Sequence, residues 1–164
     1  MSLPRLLAIC LLIGTVGACG FRPLYGTVDD RNVADSLSQI EVSPIEDRIG
    51  QQVRNGLLSA LAPRGASGNP RFRLNVTVNE GISALAVKKS AFATRADLQL
   101  IADFHLIDLK GGSGLFFSSS VATSSFNILN SEFATLMAEN SARNRAIKQM
   151  VDDIRTKLAV YLKN

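Results

Sequence analysis

Ser113, His105, Asp103 and Asp97 are the residues of this chain whose types could combine into hydrolytic chemistry. A serine becomes a nucleophile only with a base in hydrogen-bonding reach, and that base needs an orienting group. His105 falls on the same predicted strand face as Asp103 and Asp97, so a base with an orienting carboxylate is geometrically conceivable, while the same spacing equally describes a solvated polar face. Ser113 lies in Gly111-Gly112-Ser113-Gly114-Leu115, which lacks the closing glycine of a nucleophile elbow and joins two predicted strands instead of a strand and a helix. Turn flexibility accounts for it. With one His and only Cys10 and Cys19, zinc sites built from Cys and His and a disulfide framework are excluded. There is no glycine-rich phosphate loop, paired-glutamate motif or metal-ligand spacing. The expectation is a protein that is not an enzyme and needs no cofactor or metal.

The basic residues offer binding chemistry instead. Arg71, Arg73 and Arg95 are expected on the uncovered face of a sheet, where guanidinium groups match phosphate or carboxylate bidentately, with salt bridges to Asp97 and Glu80 as the alternative. Lys88-Lys89 sits near the middle of segment 81–94, expected to be a hairpin tip. Arg143, Arg145, Lys148 and Arg155 read as a solvated helix face.

Cys19 is the remaining reactive group. Arg5 is followed by the apolar run Leu6 to Ile13 and the small residues Gly14 to Ala18, the layout of an export signal, and the run is far short of the ~20 apolar residues a spanning helix needs. Val16-Gly17-Ala18-Cys19 resembles the lipobox of bacterial lipoproteins, which implies thiol diacylation, cleavage before Cys19 and acylation of the new amine. Such chains hold a protein at a membrane, each buried CH₂ contributing about 0.8 kcal/mol. Gly20 is not the aspartate that resembles an inner-membrane retention signal, so the outer membrane is expected. An ordinary signal cut near Ala18, with Cys19 a free thiol, is the alternative.

These groups need a scaffold, and the chain is long enough for one. At 164 residues with 46% apolar and 20% charged residues it suits a single core, and its net charge of +4, with 18 basic residues scattered among 14 acidic ones, is no nucleic-acid footprint. Residues 1–18 are the removed signal, 19–37 a polar lipidated tether, and 38–164 one domain. Ser38 to Val42 alternates as a short strand; Ser43-Pro44-Ile45-Glu46 has capping-box spacing with Pro at the first helical position. Ile49, Val53, Leu57, Ala60 and Leu61 follow on one helical face. Strands are predicted over 71–80, 95–108 and 115–126, and a long helix from Glu132 carries Phe133, Leu136, Ile147, Val151, Ile154, Leu158 and Tyr161, with Asn130 or Ser131 as its cap. The order β-α-β-β-β-α gives an α+β two-layer sandwich: a four-stranded, mainly antiparallel sheet with two helices on one face.

Cys19-Gly20-Phe21-Arg22-Pro23-Leu24-Tyr25-Gly26, then Ile40-Glu41-Val42 and Ile45-Glu46-Asp47-Arg48-Ile49-Gly50-Gln51-Gln52-Val53-Arg54-Asn55, resemble the lipopolysaccharide-assembly lipoprotein LptE family in its short, alphaproteobacterial-like form. The resemblance covers the mature chain. It implies an outer-membrane lipoprotein that plugs and helps assemble the lipopolysaccharide-inserting β-barrel (LptD-type), with lipopolysaccharide itself as a further ligand. It also implies that Phe21, Leu24 and Tyr25 pack at the bilayer interface or on the barrel. Family contacts to anionic lipid A have been proposed on the fourth strand and the hairpin before the third. Lys88-Lys89 matches the hairpin, while Ser118 to Phe126 carries no charge. The competing reading is a lipid-anchored accessory of another envelope lipid-trafficking system, more remotely a hydrolase.

Overall fold

The computed structural model describes residues 28–87 and 93–163. Cys19, the segment read as an export signal and Lys88-Lys89 lie outside these residues. In order the elements are α1 (Val28–Ser38), β1 (Ile40–Val42), α2 (Asp47–Leu61), β2 (Phe72–Val87), β3 (Ala93–Asp108), β4 (Gly114–Asn127) and α3 (Glu132–Lys163). The sheet order is β1-β2-β3-β4; β1 runs parallel to β2 through the α2 crossover, and the other pairs are antiparallel. This is the expected α+β arrangement with one helix more.

Period-two alternation places Phe72, Leu74 and Val76 of β2 beside Leu106, Phe104, Leu100 and Leu98 of β3 on one face, continued by Ala122 and Phe126 of β4. Two helical stripes cover that face: Val53, Leu57 and Leu61 of α2, and Ala142, Ala146, Met150, Ile154 and Leu158 of α3. A spacing of four slightly exceeds the 3.6-residue turn, so this stripe winds slowly around α3 along its length. The stripe is small at Ala142 and Ala146 and bulky at Met150, Ile154 and Leu158. Gly56 lets α2 approach α3, because a Cβ there would stand 2.9 Å from Cγ2 of Val151.

Four local features depart from the sequence expectations. Residues 28–38, read as tether up to Leu37 and as strand at Ser38, are helical, and Val33 and Leu37, one turn apart, rest on the core. α2 begins at Asp47, which holds φ +65, and not at Pro44. Ser43 is unavailable as a cap: its N–H donates to the Leu74 carbonyl, prolonging the β1–β2 ladder, and its hydroxyl donates to Asn75 Oδ1 at 2.6 Å. The segment read as a hairpin tip is mostly ladder, with β2 reaching Val87 and β3 starting at Ala93, and a register irregularity falls between Ala84 and Val87. The cover there is uneven: Ile82 of β2 is half exposed, while its cross-strand partner Leu98 of β3 is fully buried. Finally, Phe133 and Leu136 of α3 are exposed, and no residue of that helix before Ala142 is fully buried.

Candidate functional site

The second face of the sheet is left uncovered by α2 and α3. Its rows follow from the register: Asn75, His105 and Phe117; Thr77, Asp103 and Ser119; Asn79, Ile101 and Val121; Gly81, Gln99 and Thr123. An apolar stripe runs through it, since Ile101 and Val121 are a cross-strand pair and the Phe117 ring is 65% exposed. Around the stripe are hydroxyls, amides and the carboxylates of Asp103 and Asp97, groups able to hydrogen-bond a polar partner.

His105 does not meet a carboxylate on this face. Its ring stands edge-on to Phe117 with centroids 4.5 Å apart. Asp97 is engaged elsewhere, accepting the Ser125 hydroxyl at 2.5 Å. Ser113 closes the β3–β4 turn, its carbonyl accepting the Asp108 N–H at 3.2 Å, with Gly112 at φ +64 making the reversal. Among the described residues no three His, Cys, Asp or Glu side chains group as a metal site.

The three candidate arginines do not form one cluster. Arg73 projects from the uncovered face and pairs with Glu41 on β1 at 3.2 Å, both side chains half exposed. Arg71 lies at the sheet's end, 3.9 Å from Asp108, its guanidinium over the Phe72 ring, in a recess it shares with Ser36, Leu115, Tyr161 and Leu162. Arg95 is at the opposite end. Arg73 pairs in register with Ile107, so Arg95 stands twelve residues along β3, about 40 Å away at strand spacing. It lines a different recess with Arg145. Arg71 and Arg73 therefore have ordinary structural partners, and the alternative partner foreseen for them, Glu80, is on the helix side bound to Arg143.

The helix arginines that read as a solvated face carry the sheet–helix seam. Arg143 clamps Glu80 and Glu139, and these hydrogen bonds hold its guanidinium above its ordinary range against the opposing effect of burial. Lys157 donates to the Ser119 carbonyl at 2.7 Å and Arg145 to the Ser125 carbonyl at 3.0 Å, so both reach outward-facing carbonyls of the β4 edge. Between them Ser120, the one polar residue fully buried among those described, donates to Asp153 Oδ2 at 2.6 Å. Burial pushes the Asp153 carboxyl up, but the hydrogen bonds from Lys157 and Ser120, with the Lys157 charge, bring it net below its ordinary value. The cue for these contacts was small: basic residues at 143, 145 and 157 on a helix beside a hydroxyl-rich edge strand.

A family model described as "LptE: Lipopolysaccharide-assembly" matches residues 37–158, nearly the whole of this sheet-and-helix unit. The chain belongs to the LptE family. Its family role is in lipopolysaccharide assembly. No curated protein matches the chain. Among solved structures, a protein of Caulobacter crescentus CB15 described as a lipoprotein is similar at 26% identity and TM-score 0.67, over 80% of this chain and 96% of that one. The minor lipoprotein of Acinetobacter baumannii (16% identity, TM-score 0.58, 74% and 91% covered) and rare lipoprotein B of Shewanella oneidensis (12%, 0.56, 74% and 93%) share the LptE fold. Among the described residues, every fully buried core residue lies within the range matched to the LptE model.

Proposed function

We propose that this chain is an outer-membrane lipoprotein, acylated at Cys19, that serves as plug and assembly partner of an LptD-type β-barrel in lipopolysaccharide insertion. The observation that carries the reading is the sheet face left uncovered by the helices, with its hydroxyl and amide rows and the exposed Ile101, Val121 and Phe117 among them. A barrel lumen is lined by alternating side chains with a polar interior, so a face rich in hydroxyls and amides suits its wall. The lipobox-like Val16-Gly17-Ala18-Cys19 and the lipoprotein descriptions of the neighbouring structures support the anchor. Lipopolysaccharide itself would meet Lys88-Lys89 and Arg95. Chromatography of the tagged protein from detergent-solubilised envelope, with mass spectrometry of what it retains, tests this: a stoichiometric outer-membrane barrel is expected. Retention of a different lipid-trafficking complex would replace the reading with the alternative one.

A further inference from the structure

The two edges of the sheet are treated differently. Along β4, Lys157 and Arg145 reach across to the Ser119 and Ser125 carbonyls. Along β2, β1 covers only the start, with Ile40, Glu41 and Val42 beside Phe72, Arg73 and Leu74. The Phe72 N–H donates to the Gln39 carbonyl and the Leu74 carbonyl accepts the Ser43 N–H, so the even-numbered residues of β2 turn their backbone groups to this side. Val76, next along, is still buried. From Val78 through Glu80 and Ile82 to Ala84, the outward N–H and C=O groups have no hydrogen-bond partner among the described residues. A register irregularity beyond Ala84 ends the regular edge.

The open stretch carries none of the side chains that keep strand edges apart. Between Asn75 and Val87 there is no Lys, Arg or Pro, and the single charge, Glu80, lies on the helix side and is held by Arg143. An open edge is complemented by another strand, and what fits follows from the sequence of the stretch itself. It is centred on Gly81. An identical strand laid antiparallel about a two-fold axis at Gly81 sets Val78 against Ala84 and Glu80 against Ile82, and pairs every outward group of the stretch. On the uncovered face Gly81 then meets Gly81 and Asn79 meets Ser83, all neutral. Moving the axis to Glu80 would instead set two glutamates opposite each other. A Cβ on Gly81 would meet nothing within 4 Å, so the sheet is open where the axis falls.

We propose that the β2 edge from Val78 to Ala84 is a self-association site, which pairs antiparallel with the same stretch of a second copy and joins the two sheets into one. The site involves neither the Cys19 acyl chains nor a barrel, so its test is independent of the function proposed above. Among the described residues the core lies wholly within 37–158, and the Caulobacter crescentus structure matches this unit over 96% of its own length, so the chain from Gly20 onward keeps the folding unit. It contains no cysteine. Sedimentation velocity of that chain across a range of concentrations should show a monomer–dimer equilibrium. Ile82→Pro removes an exposed side chain and an outward N–H that has no partner in the monomer, so the variant should fold and weaken dimerisation by about tenfold or more. Gly81→Cys provides a second, covalent measurement. Across the axis a pair of this kind has Cα atoms about 4.5 Å apart, within disulfide range. Gln99, the cross-strand neighbour of Gly81 on β3, would stand three strand spacings from its own copy, about 14 Å and out of range. Under mild oxidation Gly81→Cys should therefore form a disulfide dimer well ahead of Gln99→Cys. Should the proline variant fail to fold, the two cysteine variants decide alone. Equal rates of cross-linking, a chain that stays monomeric at every concentration, or a dimer unchanged by Ile82→Pro overturns the proposal.

Discussion

Arg143 of α3 and Glu80 of β2 meet fork to fork, Nε to Oε2 at 2.7 Å and Nη2 to Oε1 at 2.9 Å, although 63 residues separate them in sequence. The Arg143 side chain is 16% exposed, and its remaining donors reach Glu139 and Asn140. This bidentate pair fixes the start of the buried α3 stripe against the long hairpin. Removing one partner leaves the other poorly solvated, so Arg143→Ala should cost about 3 kcal/mol. Urea unfolding should give that loss, and a double-mutant cycle with Glu80→Gln should show strong coupling. Additive effects would mean that the pair contributes nothing as a pair.

Gly50 gives a prediction of opposite origin. A Cβ there would stand 2.5 Å from Cγ2 of Ile45 and 3.2 Å from its backbone carbon, and Ile45 is buried in the link between β1 and α2. Alanine would gain about 1 kcal/mol in helix propensity, yet crowding of this kind costs about 1–3 kcal/mol. Gly50→Ala should therefore lower stability by about 1 kcal/mol, the net of the two effects. Thermal melts decide it, since a rise in melting temperature would show that Ile45 yields freely.

Asp153 predicts a pH dependence. Its folded carboxyl lies below the ordinary value because the Lys157 and Ser120 hydrogen bonds overcome the upward push of burial. A depressed folded value means that the charged form is favoured by folding. The contribution is complete above the unfolded value near 3.9 and is lost as pH falls through the lower folded one. Asp153→Asn should flatten the fall of stability between about pH 5 and pH 2 while leaving its shape above pH 6 unchanged. Urea midpoints across that range provide the comparison, and an unchanged acid limb would remove Asp153 from the account.

Lys157 also guards an edge. β4 is a 14-residue outer strand, and Lys157 and Arg145 occupy its Ser119 and Ser125 carbonyls. Open strand edges pair with one another. Lys157→Met should raise the fraction of dimer or higher species at high concentration, measured by light scattering after gel filtration. A strictly monomeric variant would show that the twist of the sheet protects the edge without the lysine.

What the sequence revealed and concealed follows from the range of each interaction. Alternation at Phe72, Leu74 and Val76 and spacing at Val151, Ile154 and Leu158 are local signals of burial, and the structure buries all six. α1 was hidden because its sequence is rich in Asp, Asn and Ser and, of its described side chains, only Val33 and Leu37 rest against the core, which is formed from elsewhere. Phe133 and Leu136 carry helical spacing, but spacing does not say where the sheet beneath ends. The Arg143–Glu80 pair depends on the register of α3 against β2, which no local pattern encodes. Among the three arginines, strand alternation identified the face of Arg73, while Arg71 precedes β2 and Arg95 lies near its far end, so alternation alone could not bring them together.

The uncovered face supplies the last prediction. Phe117 and Val121 are 65% and 53% exposed, and exposed substitutions usually change stability by no more than about 0.5 kcal/mol. Phe117→Asp with Val121→Asp should therefore fold normally. In the proposed barrel complex the same two carboxylates would be buried without partners, which costs several kcal/mol and should abolish co-purification of the barrel. Arg71→Glu with Arg73→Glu is the companion variant. It exchanges the exposed Arg73–Glu41 pair and the 3.9 Å Arg71–Asp108 pair, whose Asp108 side chain is largely covered, for repulsion with Glu41 and Asp108. It should disturb folding slightly and weaken the complex in a salt-dependent way. If the aspartate variant retains full barrel complex and surface lipopolysaccharide, the working face is the helix layer, and α3 becomes the surface to map next.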